Sequence, residues 1–173
     1  AGGTETLNVT GSGRYIRMNG TARGSGYGYS LWEFKVYGAF GSTPTACGTT
    51  NTAQGKPATA SSSEGADVGP ANAVDGNAGT RWSSQFSDPQ WIRIDLGATY
   101  NISQVVLTWE AAYGRSFQIQ LSNDLTTWTS VYSTTTGPGG VQTLSVSGSG
   151  RYVRMYGTQR TTGTLDSHLL LPA

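Results

Sequence analysis

Residues 143–163 read TLSVSGSGRYVRMYGTQRTTG, and residues 6–26 read TLNVTGSGRYIRMNGTARGSG. The two stretches are identical at about two thirds of their positions at a constant offset, so they are copies of one unit. After the first copy the chain continues YGYSLWEFKVYG, whereas the second copy runs into TLDSHLLLPA. The second unit therefore lacks its last strand.

A sheet without an internal strand exposes unpaired backbone groups and an apolar face. We therefore predict that residues 27–37 supply the missing strand, either within one chain or exchanged between two molecules in a strand-exchanged dimer. The predicted organisation is a strand segment of a preceding repeat at 1–38, a linker at 39–48, a domain at 49–164 and an unrelated tail at 165–173.

Short β-rich runs separated by Gly, Asn, Asp or Pro fill the rest of the chain, for example QWIRIDLG, NISQVVLTWEA and SFQIQLSND. Counting SLWEFKVYG, about eight strands recur at a spacing of roughly ten residues, with no convincing helix. This pattern predicts an all-β, eight-stranded antiparallel jelly-roll β-sandwich. Its last strand comes from the N-terminal segment.

The composition excludes several functional classes. The net charge is +1 and Lys and Arg form no basic run, so we expect no nucleic-acid partner. The single histidine, His168, lies in the tail, and the ten acidic residues are scattered, so we predict that the domain is not an enzyme. Cys47 has no second cysteine to pair with, and no stretch approaches the roughly 20 apolar residues of a membrane span.

Seven motifs resemble those of the discoidin domains, also called coagulation factor type C domains. They are ATASSSEG, ANAVDGNAGTRWSS, DPQWIRIDLG, VVLTWEAAYG, IQLSNDLTTWTSV, GRYVRMYGT and GYSLWEFKVYG. Within that group the sequence resembles bacterial carbohydrate-binding modules of family 32, which are usually appended to secreted polysaccharide-degrading enzymes. The resemblance implies a galactose-binding-like jelly roll, a ligand site in the loops at one end, a structural calcium ion and no catalysis.

Calcium takes six or more oxygen ligands, and a tight Asp-Gly turn supplies a carboxylate together with carbonyl groups. The segment NAVDGNAGT has this form. The resemblance implies ligands from Asn72, Asp75, Asn77, Thr80, Glu33 and the Trp32 carbonyl. Since Glu33 and Trp32 belong to the N-terminal segment, the site requires that segment to dock. The alternative is that Asp75 only caps a turn.

Sugars are bound by an aromatic face and by polar groups that reach their hydroxyls. The resemblance implies Glu64 and Arg81 as hydroxyl-binding groups, Tyr27 as the stacking ring and Gln85 at a fourth position. In similar chitosan-binding members an acid occupies the Gln85 position, so the amide favours a neutral β-glucan such as β-1,3-glucan over chitosan. The alternatives are a structural salt bridge for Arg81 and a solvated loop charge for Glu64.

Two further rings are candidates for ligand contact. Trp109 ends a predicted strand and Tyr113 lies in the turn WEAAYG that follows it, where side chains often face solvent.

The predicted function is a non-catalytic module that targets a secreted parent glycoside hydrolase to a polysaccharide, with weak single-site affinity strengthened by tandem copies. The alternative is a discoidin-type adhesion domain that binds a protein or a lipid surface through apolar loop tips. Val68 and Phe86 are its candidate contact residues.

Overall fold

The computed structural model describes residues 3–9, 12–40 and 50–161. Cys47, His168, most of the predicted linker and the tail at 165–173 lie outside the described residues. The described part is built almost entirely of strands. These are β1 (Gly3–Asn8), β2 (Ser12–Ala22), β3 (Ser30–Phe40), β4 (Ala58–Ala60), β5 (Trp82–Ser83), β6 (Gln90–Trp109), β7 (Gly114–Ser122), β8 (Thr129–Thr134) and β9 (Val141–Arg160).

Two single turns of 3-10 helix, at Ala66–Val68 and Pro70–Ala73, interrupt the strands. No helix among the described residues is long and apolar enough to cross a bilayer. The all-β, galactose-binding-like sandwich predicted from the sequence is confirmed.

The strands pair in the order β5-β3-β6-β1-β9-β2-β7-β8, with β4 beside β6. Two details differ from the prediction of eight antiparallel strands. The described residues contain nine strands, and β1 and β2 run parallel to β9. Both differences have one cause, because β1 and β2 form the first copy of the repeat and lie alongside the second copy in β9.

The long strand β6 carries the core. In its first half the side chains of Ile92, Ile94 and Leu96 are buried, while the residues between them are partly exposed, as the alternation in QWIRIDLG predicts. The pairing register then shifts around Gly97, whose φ of +84° is the left-handed conformation that glycine adopts without strain. The two halves of β6 consequently have different neighbours, with β4 beside the first half and β3 beside the second.

β3, from the N-terminal segment, pairs antiparallel with the second half of β6 and with β5. Its residues Phe34 and Val36 are buried in the core. A bulge between Leu31 and Glu33 places Leu31 on the same buried side and leaves Trp32 without a partner residue on β6. The N-terminal segment thus supplies a strand of this sheet. The domain boundaries at 38, 48 and 164 stay predictions.

Replacing a core residue of β3 tests how strongly this strand is held. We expect Phe34→Ala to reduce the free energy of unfolding by about 3–5 kcal/mol, because it leaves a cavity in the shared core. Lys35→Gln, at the next position on the solvent side, should change it by less than about 0.5 kcal/mol. Denaturant unfolding of both variants measures the difference. If Phe34→Ala lowers the free energy of unfolding as little as Lys35→Gln does, β3 is not part of the cooperative unit.

Candidate functional site

Four segments of the chain meet at one end of the sandwich, which we call the binding end. They are residues 27–30, 61–65, 81–90 and 110–113. Backbone hydrogen bonds join them: the Ser84 amide donates to the Tyr29 carbonyl over 2.9 Å, and the Ser30 amide donates to the Ala112 carbonyl over 2.9 Å. The Glu64 amide donates to the Ser83 carbonyl over 2.8 Å. The end is therefore a braced surface rather than four independent loops.

Tyr27 presents its ring to solvent at the binding end, with 58% of the residue exposed. Phe86 is 50% exposed, and its ring meets that of Tyr27 edge-on with 6.4 Å between centroids. Edge-to-face contact is a favourable arrangement for a pair of aromatic rings. Together they form an apolar platform on an otherwise polar surface.

Glu64 lies on the same end, and one of its carboxylate oxygens accepts a hydrogen bond from the Ser83 hydroxyl over 2.8 Å. Gln85 is also exposed here. Its amide N–H donates to the Ser62 hydroxyl over 3.0 Å, which fixes the backbone from which its side chain projects. Both residues therefore lie at the same end as Tyr27, and their roles in binding stay predictions.

Arg81 is held by an aromatic ring from the N-terminal strand. Its guanidinium lies 5.6 Å from the centroid of the Trp32 ring. The Nε atom of Arg81 is buried and has no hydrogen-bond partner among the described residues. No ion pair within the described residues involves Arg81, so the alternative of a structural salt bridge gains no support.

Trp109 is fully buried, and its prediction as a ligand-facing ring is wrong. The ring lies 6.3 Å from that of Tyr29 and 5.5 Å from that of Phe117, between centroids. The cause is the length of β6, which continues through Trp109 and places its side chain on the same face as the buried Leu107.

Tyr113 is half-buried and packs against the core rather than standing free in its turn. Its carbonyl accepts a hydrogen bond from the Gly24 amide. Its side chain borders an open groove of about 350 Å³ that is also lined by Gly24, Arg115, Thr136, Gly137 and Thr161. Contact with a ligand is therefore limited to the side of the ring that faces this groove.

Beside the binding end, Asp88 forms the centre of a charged cluster. Its Oδ2 lies 3.4 Å from Arg23 Nε and 3.2 Å from Arg160 Nε, while Oδ1 accepts a hydrogen bond from the Tyr29 hydroxyl over 3.2 Å. Burial raises the pKa of Asp88, and the Arg23 charge opposes that rise. Asp88 thus anchors the loop that carries Phe86.

The predicted metal loop is folded around Asp75. Its Oδ1 accepts a hydrogen bond from the Asn77 amide over 2.8 Å, and its Oδ2 accepts one from the Thr80 hydroxyl over 2.7 Å. The side-chain amide of Asn72 donates to the carbonyls of Asp67 and Arg81. Carboxylate, hydroxyl and carbonyl oxygens, the ligands that calcium prefers, are therefore concentrated in one loop.

Glu33 faces this loop from β3. The residue is 4% exposed, and neither carboxylate oxygen has a hydrogen-bond partner among the described residues. Burial raises its pKa to about 7 and the charge of Asp75 adds to the rise, while the charge of Lys35 and the backbone amide of Gly76 oppose it. Within the described ranges no three Asp, Glu, His or Cys side chains cluster as a metal site, so a cation would depend on two carboxylates plus neutral oxygens. The buried Glu33 carboxylate fits such a cation, and the Trp32 carbonyl beside it lies at the bulge of β3.

Residues 72–155 match the family of NedA-like, galactose-binding domains of the coagulation factor type C group. The chain is 46% identical to chitosan-binding module 2 of a chitosanase/glucanase from Paenibacillus sp. IK-5, solved with chitotriose. That match has a TM-score of 0.62 and covers 63% of this chain and 88% of the module. The chain belongs to the discoidin-like family of galactose-binding domains.

Two further relatives of this galactose-binding domain extend the comparison. The solution structure of chitosan-binding module 1 from the same Paenibacillus enzyme is 48% identical, with a TM-score of 0.58, and the match covers 65% of this chain and 90% of that one. The polysaccharide lyase 8 family protein HylA of Enterococcus faecalis is 38% identical over 71 residues. The chain matches 5% of the length of that lyase. The resemblance stated from the sequence motifs is confirmed.

The structure also places two residues in the binding end of this galactose-binding domain that the sequence did not assign to sugar binding. Phe86 was associated only with the adhesion alternative, although it directly follows the predicted Gln85. Glu110 was not assigned any role. Its amide donates to the Ser30 carbonyl over 2.9 Å, and its carboxylate accepts from the Ala112 amide over 2.9 Å. The acidic residue within the segment WEAAYG was the available signal.

Proposed function

We propose that this domain is a non-catalytic carbohydrate-binding module whose ligand lies across Tyr27 at the binding end. The observation that carries the proposal is the braced combination of an exposed aromatic ring with a carboxylate and a guanidinium. An aromatic face suits the C–H surface of a sugar ring, and charged groups make the strongest hydrogen bonds to hydroxyls. Phe86 extends the apolar platform, and Glu64, Arg81 and Gln85 supply the polar contacts.

The ligand class that we propose is a chitosan-type oligosaccharide. Two solved relatives are named as chitosan-binding modules, and one of them was solved with chitotriose. In this chain Glu64 and Glu110 place two carboxylates at the binding end, where either can pair with a glucosamine ammonium. Such pairing does not need an acid at position 85.

A neutral β-glucan such as β-1,3-glucan is the second candidate. It is favoured by Gln85, because an amide binds hydroxyls without supplying charge. The adhesion alternative is less well supported. Phe86 packs against the Tyr27 ring instead of projecting alone, and Val68 is partly buried.

Affinity electrophoresis in gels that contain glycol chitosan, laminarin or a galactan tests the proposal. We expect glycol chitosan to retard the chain, and Tyr27→Ala to weaken that binding about tenfold or more, because the stacking face is lost. Leu125→Ala is the matched control, since it removes an exposed apolar side chain from the opposite end of the sandwich and should leave retardation unchanged.

Glu64→Gln separates the two sugar classes. It removes the charge but keeps an oxygen that can accept from Ser83, so it should weaken binding to glycol chitosan more than binding to laminarin. Retardation by laminarin alone would support the neutral glucan. Absence of retardation in all three gels would contradict a role in binding these polysaccharides.

We also propose a structural calcium ion held by Asp75, Glu33 and oxygens of Asn72, Asn77, Thr80 and Trp32. The ion would neutralise two neighbouring carboxylates. The residues themselves connect the 72–80 loop to β3, because Glu33 belongs to that strand. Calcium bound in this way would therefore hold the N-terminal strand in place as well as the loop.

Thermal unfolding with calcium and with EDTA tests the metal site. We expect EDTA to lower the Tm of the unaltered chain, and Asp75→Asn to abolish that difference while keeping an oxygen that can cap the turn. Asp67→Asn, which removes a nearby exposed carboxylate, should retain the calcium effect. An unaltered chain with the same Tm in both buffers would rule out the site.

We infer that the domain acts as part of a longer secreted polysaccharide-degrading enzyme, which supplies the catalysis. The solved relatives are modules from a chitosanase/glucanase, and a short part of a polysaccharide lyase matches this chain. Weak binding by one module then raises the local concentration of the attached enzyme on its polymer.

A further inference from the structure

The two copies of the repeated unit contact the same residues of β6. We call residues 3–23 the N-terminal copy and residues 140–160 the C-terminal copy. Ile94 of β6 pairs with Ile16 of the N-terminal copy and with Val153 of the C-terminal copy, which are equivalent positions. Farther along β6, residues 104–108 also pair with both copies, through β1 and β9.

A β-strand has two hydrogen-bonding edges and takes one neighbour on each. One edge of β6 is already occupied, by β4 in the first half of the strand and by β3 in the second half. The remaining edge therefore serves two strands of nearly the same sequence. Gly20 and Gly157, at equivalent positions, lie so close that a Cβ on either would meet the backbone of the other.

At one end of the copies, two equivalent side chains likewise share a single partner. Arg23 and Arg160 are equivalent residues, and both approach the single carboxylate of Asp88, at 3.4 and 3.2 Å. Arg23 is 3% exposed, and its Nη1 has no hydrogen-bond partner among the described residues. One acceptor site is thus shared by two buried cations.

The middle of the copies shows a second duplicated contact. Arg17 and Arg154, again equivalent, lie over the ring of Trp128, at 4.9 and 4.2 Å from its centroid. In each of them the Nε atom is buried without a hydrogen-bond partner in the described part of the chain. Buried donors without partners destabilise a structure. Holding both copies on one edge is therefore less favourable than holding one.

We propose that the remaining edge of β6 binds one strand at a time and that the two copies of the repeat compete for it. The displaced copy is then a donor strand for the same edge of β6 in a second molecule of this protein. The partner is a second molecule of this protein, because its β6 edge matches the apolar pattern of the repeat. A displaced N-terminal copy exposes an apolar face that includes Leu7, Ile16 and Met18. The β6 edge of another molecule accepts that pattern in register when its own copies have left the edge.

One difference between the copies determines which is displaced. Glu5 and Gln142 are equivalent, and both pair with Leu107 of β6. One carboxylate oxygen of Glu5 and both side-chain amide atoms of Gln142 are buried without a hydrogen-bond partner among the described residues. The two side chains differ in that only Glu5 can carry a charge, and a charged group is the costlier one to bury. Burial raises the pKa of Glu5 to about 8. The C-terminal copy is therefore the resident strand and the N-terminal copy is the donor.

Substitutions in the full chain test the competition. Because the other copy can take the edge, Ile16→Asp and Val153→Asp should each lower the Tm by about 3 °C or less. The double variant should lose more than about 10 °C, since a buried unpaired Asp then remains on the only strand available. Ile119→Asp, on the unduplicated strand β7, should be severely destabilising alone. Additive effects of the two single substitutions would overturn the proposal.

Two further measurements test the order of the copies and the exchange. Glu5→Gln should raise the Tm of the Val153→Asp variant, in which the N-terminal copy is resident, but not that of the Ile16→Asp variant. A tagged Ile16→Asp/Val153→Asp chain should capture the untagged, unaltered full chain, which supplies its spare strand. The same tagged chain should not capture an untagged Ile16→Asp/Val153→Asp chain. Failure of the full chain to bind would overturn the donor role, independently of any sugar binding.

Discussion

The pairing of β3 with β6 is the interaction on which the rest of the structure depends. It closes the sheet by covering the second half of β6 with a strand from the N-terminal segment. The same strand carries Trp32, against which Arg81 lies, and Glu33, which faces the Asp75 loop. Tyr27 stands just before it. One backbone ladder thus unites the core with both proposed binding functions.

A second constraint is that a β-strand has only two hydrogen-bonding edges. β6 offers one edge to β3 and β4 and the other to a repeated unit that the chain contains twice. The strain of this duplication appears where the two copies meet the same partners, Asp88 and Trp128. The binding end is insulated from it in part, because Glu64, Arg81 and Phe86 all lie outside the repeated segments. Asp88 is the link between the two, because it contacts both copies and anchors the loop that carries Phe86.

Much of the fold was predictable from the sequence, because the alternation in QWIRIDLG and the point at which the two repeat copies cease to match can be read from the residues alone. The bulge at Trp32 was not predictable, since the pairing of β3 with β6 determines it. The burial of Trp109 was missed for a similar reason: the end of β6 depends on its pairing with β1 and β3. The adjacency of Tyr27 and Phe86 joins segments far apart in the chain, and only the folded structure brings their rings together.

The most direct measurement of the central claim is a disulfide between β3 and β5. Ser30 and Ser83 are paired residues and both are buried. In a Cys47→Ser background, a Ser30→Cys/Ser83→Cys chain should form an intrachain disulfide on mild oxidation, with the monomer running faster on a non-reducing gel. The account predicts this intrachain product. Persistent free thiols in the folded protein, or a crosslink that forms only between molecules, would contradict the placement of β3 within its own chain.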